Sequence, residues 1–102
     1  MEYYLGIPQD GRFVGGSDTY RPGKAIYKVT STDETYGEFE YINLPEAIGF
    51  AKQSRTSFLE SACNIIGDNK ADFTQIETKL KGKVERTSDG WKIIKKADVC
   101  LV

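Results

Sequence analysis

Between Leu44 and Ile66, apolar residues return at helical spacing. At about 100° per residue, Leu44, Ala47, Ile48, Ala51, Arg55, Phe58, Leu59, Ala62, Ile65 and Ile66 share one arc, and Arg55 alone among them is polar. The polar run Gln53–Ser57 suits a break between two helices, but the stripe keeps its phase across it. The pattern therefore predicts one long helix over 44–66. Asn43 with Glu46 can cap its first turn reciprocally, Pro45 sits where its missing amide costs nothing, and Gly67 stops it.

Elsewhere the alternation has period two. Tyr3, Leu5 and Ile7 predict a strand, Pro8–Gly11 a turn, and Arg12–Val14 a short returning strand. Gly15–Gly23 (GGSDTYRPG) is too rich in Gly, Pro and polar residues for regular structure. Lys24–Thr30 and the more acidic Tyr36–Ile42 alternate again. Residues 73–79 suit a helical turn or a strand equally. Leu80–Arg86 and Trp91–Lys96 flank Thr87–Gly90 as a hairpin, and a four-residue loop sets Val84 opposite Ile93 and Arg86 opposite Trp91. That register places Leu80, Val84, Trp91 and Ile93 on one face. Lys79, Lys81, Lys83, Lys92 and Lys96 fall on the other with Glu85 and Ile94. Val99–Val102 predicts a closing strand or a subunit contact.

Strands, one long helix and more strands sum to an α+β fold, a mostly antiparallel twisted sheet with one long helix packed across one face. At 102 residues and 39% apolar content, the chain suits a single domain over 1–102. The net charge of -1 excludes a whole-molecule attraction to nucleic acid or anionic membrane. Its distribution is uneven: residues 79–96 hold seven basic residues against Glu85 and Asp89, a net +5 that leaves -6 for the remainder. No stretch has the pattern of a secretory signal or a membrane span, so a cytoplasmic protein with no membrane partner is expected. Cys63 and Cys100 lack the spacing of a zinc site or redox dithiol and read as free thiols; a disulfide between them is the alternative.

Candidate chemistry starts at Arg55. On an apolar stripe its guanidinium either pairs with a strand carboxylate such as Glu38 or Glu40, or binds an anion in a cleft. On the opposite helix face Phe50, Ser54, Ser57 and Ser61 follow i, i+4, i+7 and i+11. This is a solvated face or, with Phe50 as anchor, a contact surface for another protein or a homodimer. The lysines, Lys81, Lys83, Lys92 and Lys96 among them, either guard strand edges or meet an acidic partner such as nucleic acid. GGSDTYRPGK fails as a phosphate loop, since Ala25 follows Lys24 and a strand follows both. As a loop carrying Tyr20, Arg21 and Lys24 it can still close over a small anionic ligand.

No histidine is present, which removes the usual general base at neutral pH and the commonest metal ligand. No catalytic constellation, cofactor site or metal site is expected. The sequence points to a small non-catalytic module that binds another protein and can self-associate. Nucleic acid on the lysine hairpin, or a small anion held between Arg55 and the Tyr20–Lys24 loop, is the alternative.

Overall fold

The computed structural model describes residues 1–102 and is predominantly β. Its elements are β1 (Glu2–Leu5), β2 (Arg12–Val14), β3 (Tyr27–Ser31), β4 (Tyr36–Tyr41), α1 (Pro45–Gln53), a π-helical turn (Thr56–Glu60), β5 (Cys63–Ile65), β6 (Ile76–Leu80), β7 (Gly82–Arg86), β8 (Gly90–Lys95) and β9 (Ala97–Leu101). Six strands form one antiparallel sheet in the order β1-β3-β4-β7-β8-β2. The other three form a small sheet, β5-β9-β6, in which β5 runs parallel to β9 and β6 antiparallel to it.

The large sheet curls into a half-barrel. Strands β2 and β3 lie four places apart, which in a flat sheet is about 19 Å. Their rings Phe13 and Tyr27 nevertheless have centroids 5.0 Å apart. Across the same gap Tyr3 on β1 meets Trp91 on β8 at 5.7 Å. The concave face carries Leu5, Phe13, Tyr27, Val29, Phe39, Val84 and Trp91, all buried, so the alternation read from the sequence is the inside and outside of this curl. Glycine permits two of its close approaches. A Cβ on Gly90 would lie 1.9 Å from the Phe13 carbonyl oxygen of β2, and one on Gly82 would lie 2.1 Å from the Phe39 ring.

The expected helix over 44–66 does not form, and with it goes the α+β fold with one long helix packed across one face. Helix α1 stops at Gln53 because Ser54 turns extended, at φ -152 and ψ 98. Ser and Thr bond locally to the backbone and so compete with helix propagation. Here the Ser54 hydroxyl accepts from the Ser57 amide at 3.4 Å, and the Ser61 hydroxyl donates to the Ser57 carbonyl at 2.8 Å. Beyond the π-helical turn, Cys63–Ile65 leaves the helical path and pairs with Ala97–Val99. The stripe still named the buried side chains correctly at Ala47, Ile48, Ala51, Leu59 and Ala62. Asn43 does not cap; Leu44 is the N-cap, and the Asn43 side-chain oxygen accepts from the Ile76 amide at 3.0 Å. Pro45 does open the helix.

The carbonyls of the widened turn receive donors from elsewhere in the chain. The Tyr27 hydroxyl, fully buried, donates to the Phe58 carbonyl at 2.7 Å, and Lys96 donates to the Glu60 carbonyl at 2.9 Å. These contacts tie the curled sheet to the segment beneath it.

The C-terminal hairpin has the expected register, with Val84 opposite Ile93 and Arg86 opposite Trp91. Of residues 73–79, those from Ile76 onward form strand β6 while 73–75 belong to no strand or helix, and β9 is the central strand of the small sheet. The expected strand from Leu80 to Arg86 is instead divided between β6 and β7, which belong to different sheets. Leu80 is consequently exposed rather than facing the core. Both cysteines are free: Cys63 is buried in register with Ala97, whereas half-buried Cys100 lies opposite Glu77.

Candidate functional site

Two adjoining depressions share Tyr4. The larger is an open groove of about 510 Å³ on the convex side of the large sheet, where β3 and β4 meet β6. It is lined by exposed Leu44, by the buried Ile42 and Ile76, and by Tyr4 with Tyr20, whose rings meet edge-on at 5.7 Å. Lys28 also lines it and pairs with Glu40 at 3.1 Å and, beyond the groove, with Glu2 at 3.6 Å. The hydrogen bond to Glu40 holds the Lys28 ammonium above the usual lysine range. Among the lining residues Lys28 stands against Glu40 and Glu77, one negative charge in excess.

The smaller depression, about 190 Å³, lies between β1 and the loop 16–25. Leu5 and Ala25, both buried, form its floor, and Ser17, Thr19, Arg21 and Lys24 line its rim. Two backbone bonds pin the loop to β1: the Tyr4 amide donates to the Ser17 carbonyl at 2.7 Å, and the Ser17 amide returns one at 3.1 Å. Gly16 permits the approach, since its φ is +120 and a Cβ there would lie 2.7 Å from the Leu5 side chain.

The residues singled out from the sequence are thus dispersed. Tyr20 lines the groove, and Arg21 and Lys24 line the notch. Arg55 joins neither. Its guanidinium donates to the Asn69 side-chain oxygen and to the Lys70 carbonyl, and it stacks over the Phe73 ring at 5.2 Å. An anion held jointly by Arg55 and the Tyr20–Lys24 loop is therefore not the arrangement found. The carboxylates proposed as Arg55 partners are engaged elsewhere, Glu38 with Lys83 and Glu40 with Lys28. The bond from Lys83 holds the Glu38 carboxyl below its usual range.

The helical stripe of Phe50, Ser54, Ser57 and Ser61 does not exist as a surface, because the chain leaves the helix at Ser54. Phe50 is half-buried, its ring 5.2 Å from that of Phe58. The lysine face is likewise broken up. Lys83 and Lys92 lie on the convex face of the hairpin beside Glu85, whereas Lys79 belongs to β6, and Lys81 and Lys96 lie between strands. Lys79 pairs with Glu77 at 2.8 Å, and Lys83 pairs with Glu38.

Sequence reasoning missed Tyr4, Lys28, Glu40 and Leu44 as neighbours. Only the signal of alternation was present: Tyr4 and Lys28 fall on the convex side of strands whose other side chains are buried. No group of three or more His, Cys, Asp or Glu side chains is placed to hold a metal. Burial pushes the Cys63 thiol up to about 12, which keeps it protonated and unreactive at neutral pH. No helix is long and apolar enough to cross a membrane. No family model, curated protein or solved structure matches this chain.

Proposed function

We propose that this chain is a small, cytoplasmic, non-catalytic module that binds an extended segment of another protein in the Tyr4–Leu44 groove. The observation that carries the reading is the groove itself: an open trough lined by Tyr4, Tyr20 and exposed Leu44, with the carboxylates Glu40 and Glu77 outnumbering the cation Lys28. Aromatic anchors beside apolar pockets are what peptide docking uses, and the charge favours a segment that places a basic side chain next to an apolar one. An unreactive Cys63 and the absence of histidine support a non-catalytic role. The interleaving of Lys83, Glu38, Glu85 and Lys92 on the hairpin favours a protein over nucleic acid, since adjacent carboxylates offset attraction to phosphates.

The test compares proteins captured from the source cells by wild type, by Leu44→Asp and by Lys92→Glu. A partner lost with Leu44→Asp and retained with Lys92→Glu supports the groove. An identical captured set for wild type and Leu44→Asp removes it.

A further inference from the structure

We infer that the notch between β1 and the loop 16–25 is a binding site for a phosphate-type oxyanion. The site lies beyond the proposed peptide groove and does not depend on it. Two cationic side chains, Arg21 and Lys24, line the notch, and no carboxylate does. With Asp18 the one carboxylate on the loop, bonded to Thr19, the loop 16–25 still carries a net +1 in a chain whose net charge is -1, a local reversal of sign. Neither residue makes an ion pair within the chain, so both charges are available to a ligand.

The loop backbone brings these cations to one rim. The Lys24 amide donates to the Arg21 carbonyl at 3.2 Å and the Ala25 amide to the same oxygen at 3.0 Å, closing a turn with Arg21 at one end and Lys24 at the other. Gly23, at φ +79, makes that turn accessible without strain. Facing them, Ser17 is fixed by its paired bonds to Tyr4, and its hydroxyl accepts from the Thr19 amide at 3.1 Å. The Thr19 hydroxyl donates to the Asp18 carboxylate at 3.3 Å, so the Ser17 hydroxyl is the one left to donate toward a ligand from this rim.

This donor set matches a tetrahedral oxyanion better than a carboxylate. A phosphate offers acceptors in several directions at once, to the planar fork of Arg21, the ammonium of Lys24 and the Ser17 hydroxyl. The notch, at about 190 Å³, has the volume of about six waters at roughly 30 Å³ each, enough for one such group. The ligand class is thus inorganic phosphate or a small phosphomonoester whose remainder extends outward.

The experiment is a titration of the full chain, followed by amide NMR shifts at constant ionic strength, with inorganic phosphate, glycerol 1-phosphate or acetate. Phosphate is expected to produce saturable shifts confined to residues 4–6 and 16–25, and to bind at least tenfold more tightly than acetate. The two phosphate arms separate the sources: tighter binding of the ester assigns the site to a phosphomonoester, and tighter or equal binding of the free ion assigns it to inorganic phosphate. Arg21→Ala combined with Lys24→Ala is expected to weaken binding at least tenfold while amides outside the loop keep their positions. Non-saturating or dispersed shifts, acetate binding equal to phosphate, or undiminished binding by the double variant would overturn the assignment.

Discussion

The guanidinium of Arg86 lies 4.7 Å from the ring centroid of Trp91, its cross-strand partner on the concave face of the hairpin. The same group stands 5.4 Å from the Tyr3 ring and donates to the Tyr3 hydroxyl at 2.9 Å. One side chain therefore joins β7 and β8 to β1, across the open side of the half-barrel. Arg86→Ala is expected to cost about 1 kcal/mol, the scale of a cation–π contact made by an exposed cation. Arg86→Lys should recover only part of it, because an ammonium neither stacks nor forks. Urea denaturation followed by Trp91 fluorescence measures both, and an unchanged midpoint for Arg86→Ala would contradict the joint.

Arg55 is a tether for the segment preceding β6. Arg55→Met keeps the apolar stem but removes the bonds to Asn69 and Lys70 and the cation over Phe73. The expected result is a loss of about 1 kcal/mol and faster amide hydrogen exchange confined to residues 67–75. A neutral or stabilised variant with unaltered exchange would show that the guanidinium contributes nothing there.

Gly90→Ala probes the seam between β2 and β8. The added Cβ meets the Phe13 carbonyl oxygen at 1.9 Å, a backbone contact that cannot yield by side-chain rotation. Destabilisation of about 2 to 3 kcal/mol is expected, as for overpacking at a rigid site. Chemical denaturation decides it; a cost below about 0.5 kcal/mol, the range of ordinary surface changes, would mean that β2 does not lie where described.

The two thiols should differ in reactivity. Cys63 is buried, accompanied by the Tyr27 hydroxyl at 3.9 Å, and burial is the largest cause of its rise from 9.0 to about 12. With a thiol-specific disulfide reagent at pH 8, Cys100 is expected to react and Cys63 to stay protected until the chain unfolds. Equal rates would refute the burial.

The same shift predicts a pH dependence. A folded pKa above the unfolded one means that the native state holds its proton more tightly, so this stabilisation is complete below about 9 and is lost as pH rises toward about 12. Desolvation also pushes the Tyr27 and Tyr41 hydroxyls upward, with the same sign. Stability should therefore decline through the alkaline range. Cys63→Ala should lessen the slope between pH 9 and 12; an identical slope in that variant would locate the effect elsewhere.

Short-range patterns were legible in the amino-acid order alone. Face segregation and loop length sufficed for the β7–β8 register, and the Gly-Pro composition of 15–23 sufficed to mark a loop whose cations line a depression. The helical stripe over 44–66 named five of the side chains that go inside, Ala47, Ile48, Ala51, Leu59 and Ala62, but also Leu44 and Ile66, which are exposed. It did not determine whether the backbone stays helical. That was settled by β9, which offers Cys63–Ile65 a strand to pair with, and by Tyr27 and Lys96, which supply donors to the carbonyls of the widened turn. All of these lie more than thirty residues away in sequence. Arg55 and Lys28 depended on the same kind of information, since a charged group takes whichever partner folding brings near. Composition and periodicity thus pointed to β1 to β4, the β7–β8 hairpin, much of the core and the loop that carries Arg21, but not to β5 or to the division between β6 and β7. Only the closing of distant segments on one another decided the end of the helix, the partners of each charge and the groove, because none of these exists until residues remote in the chain share a surface.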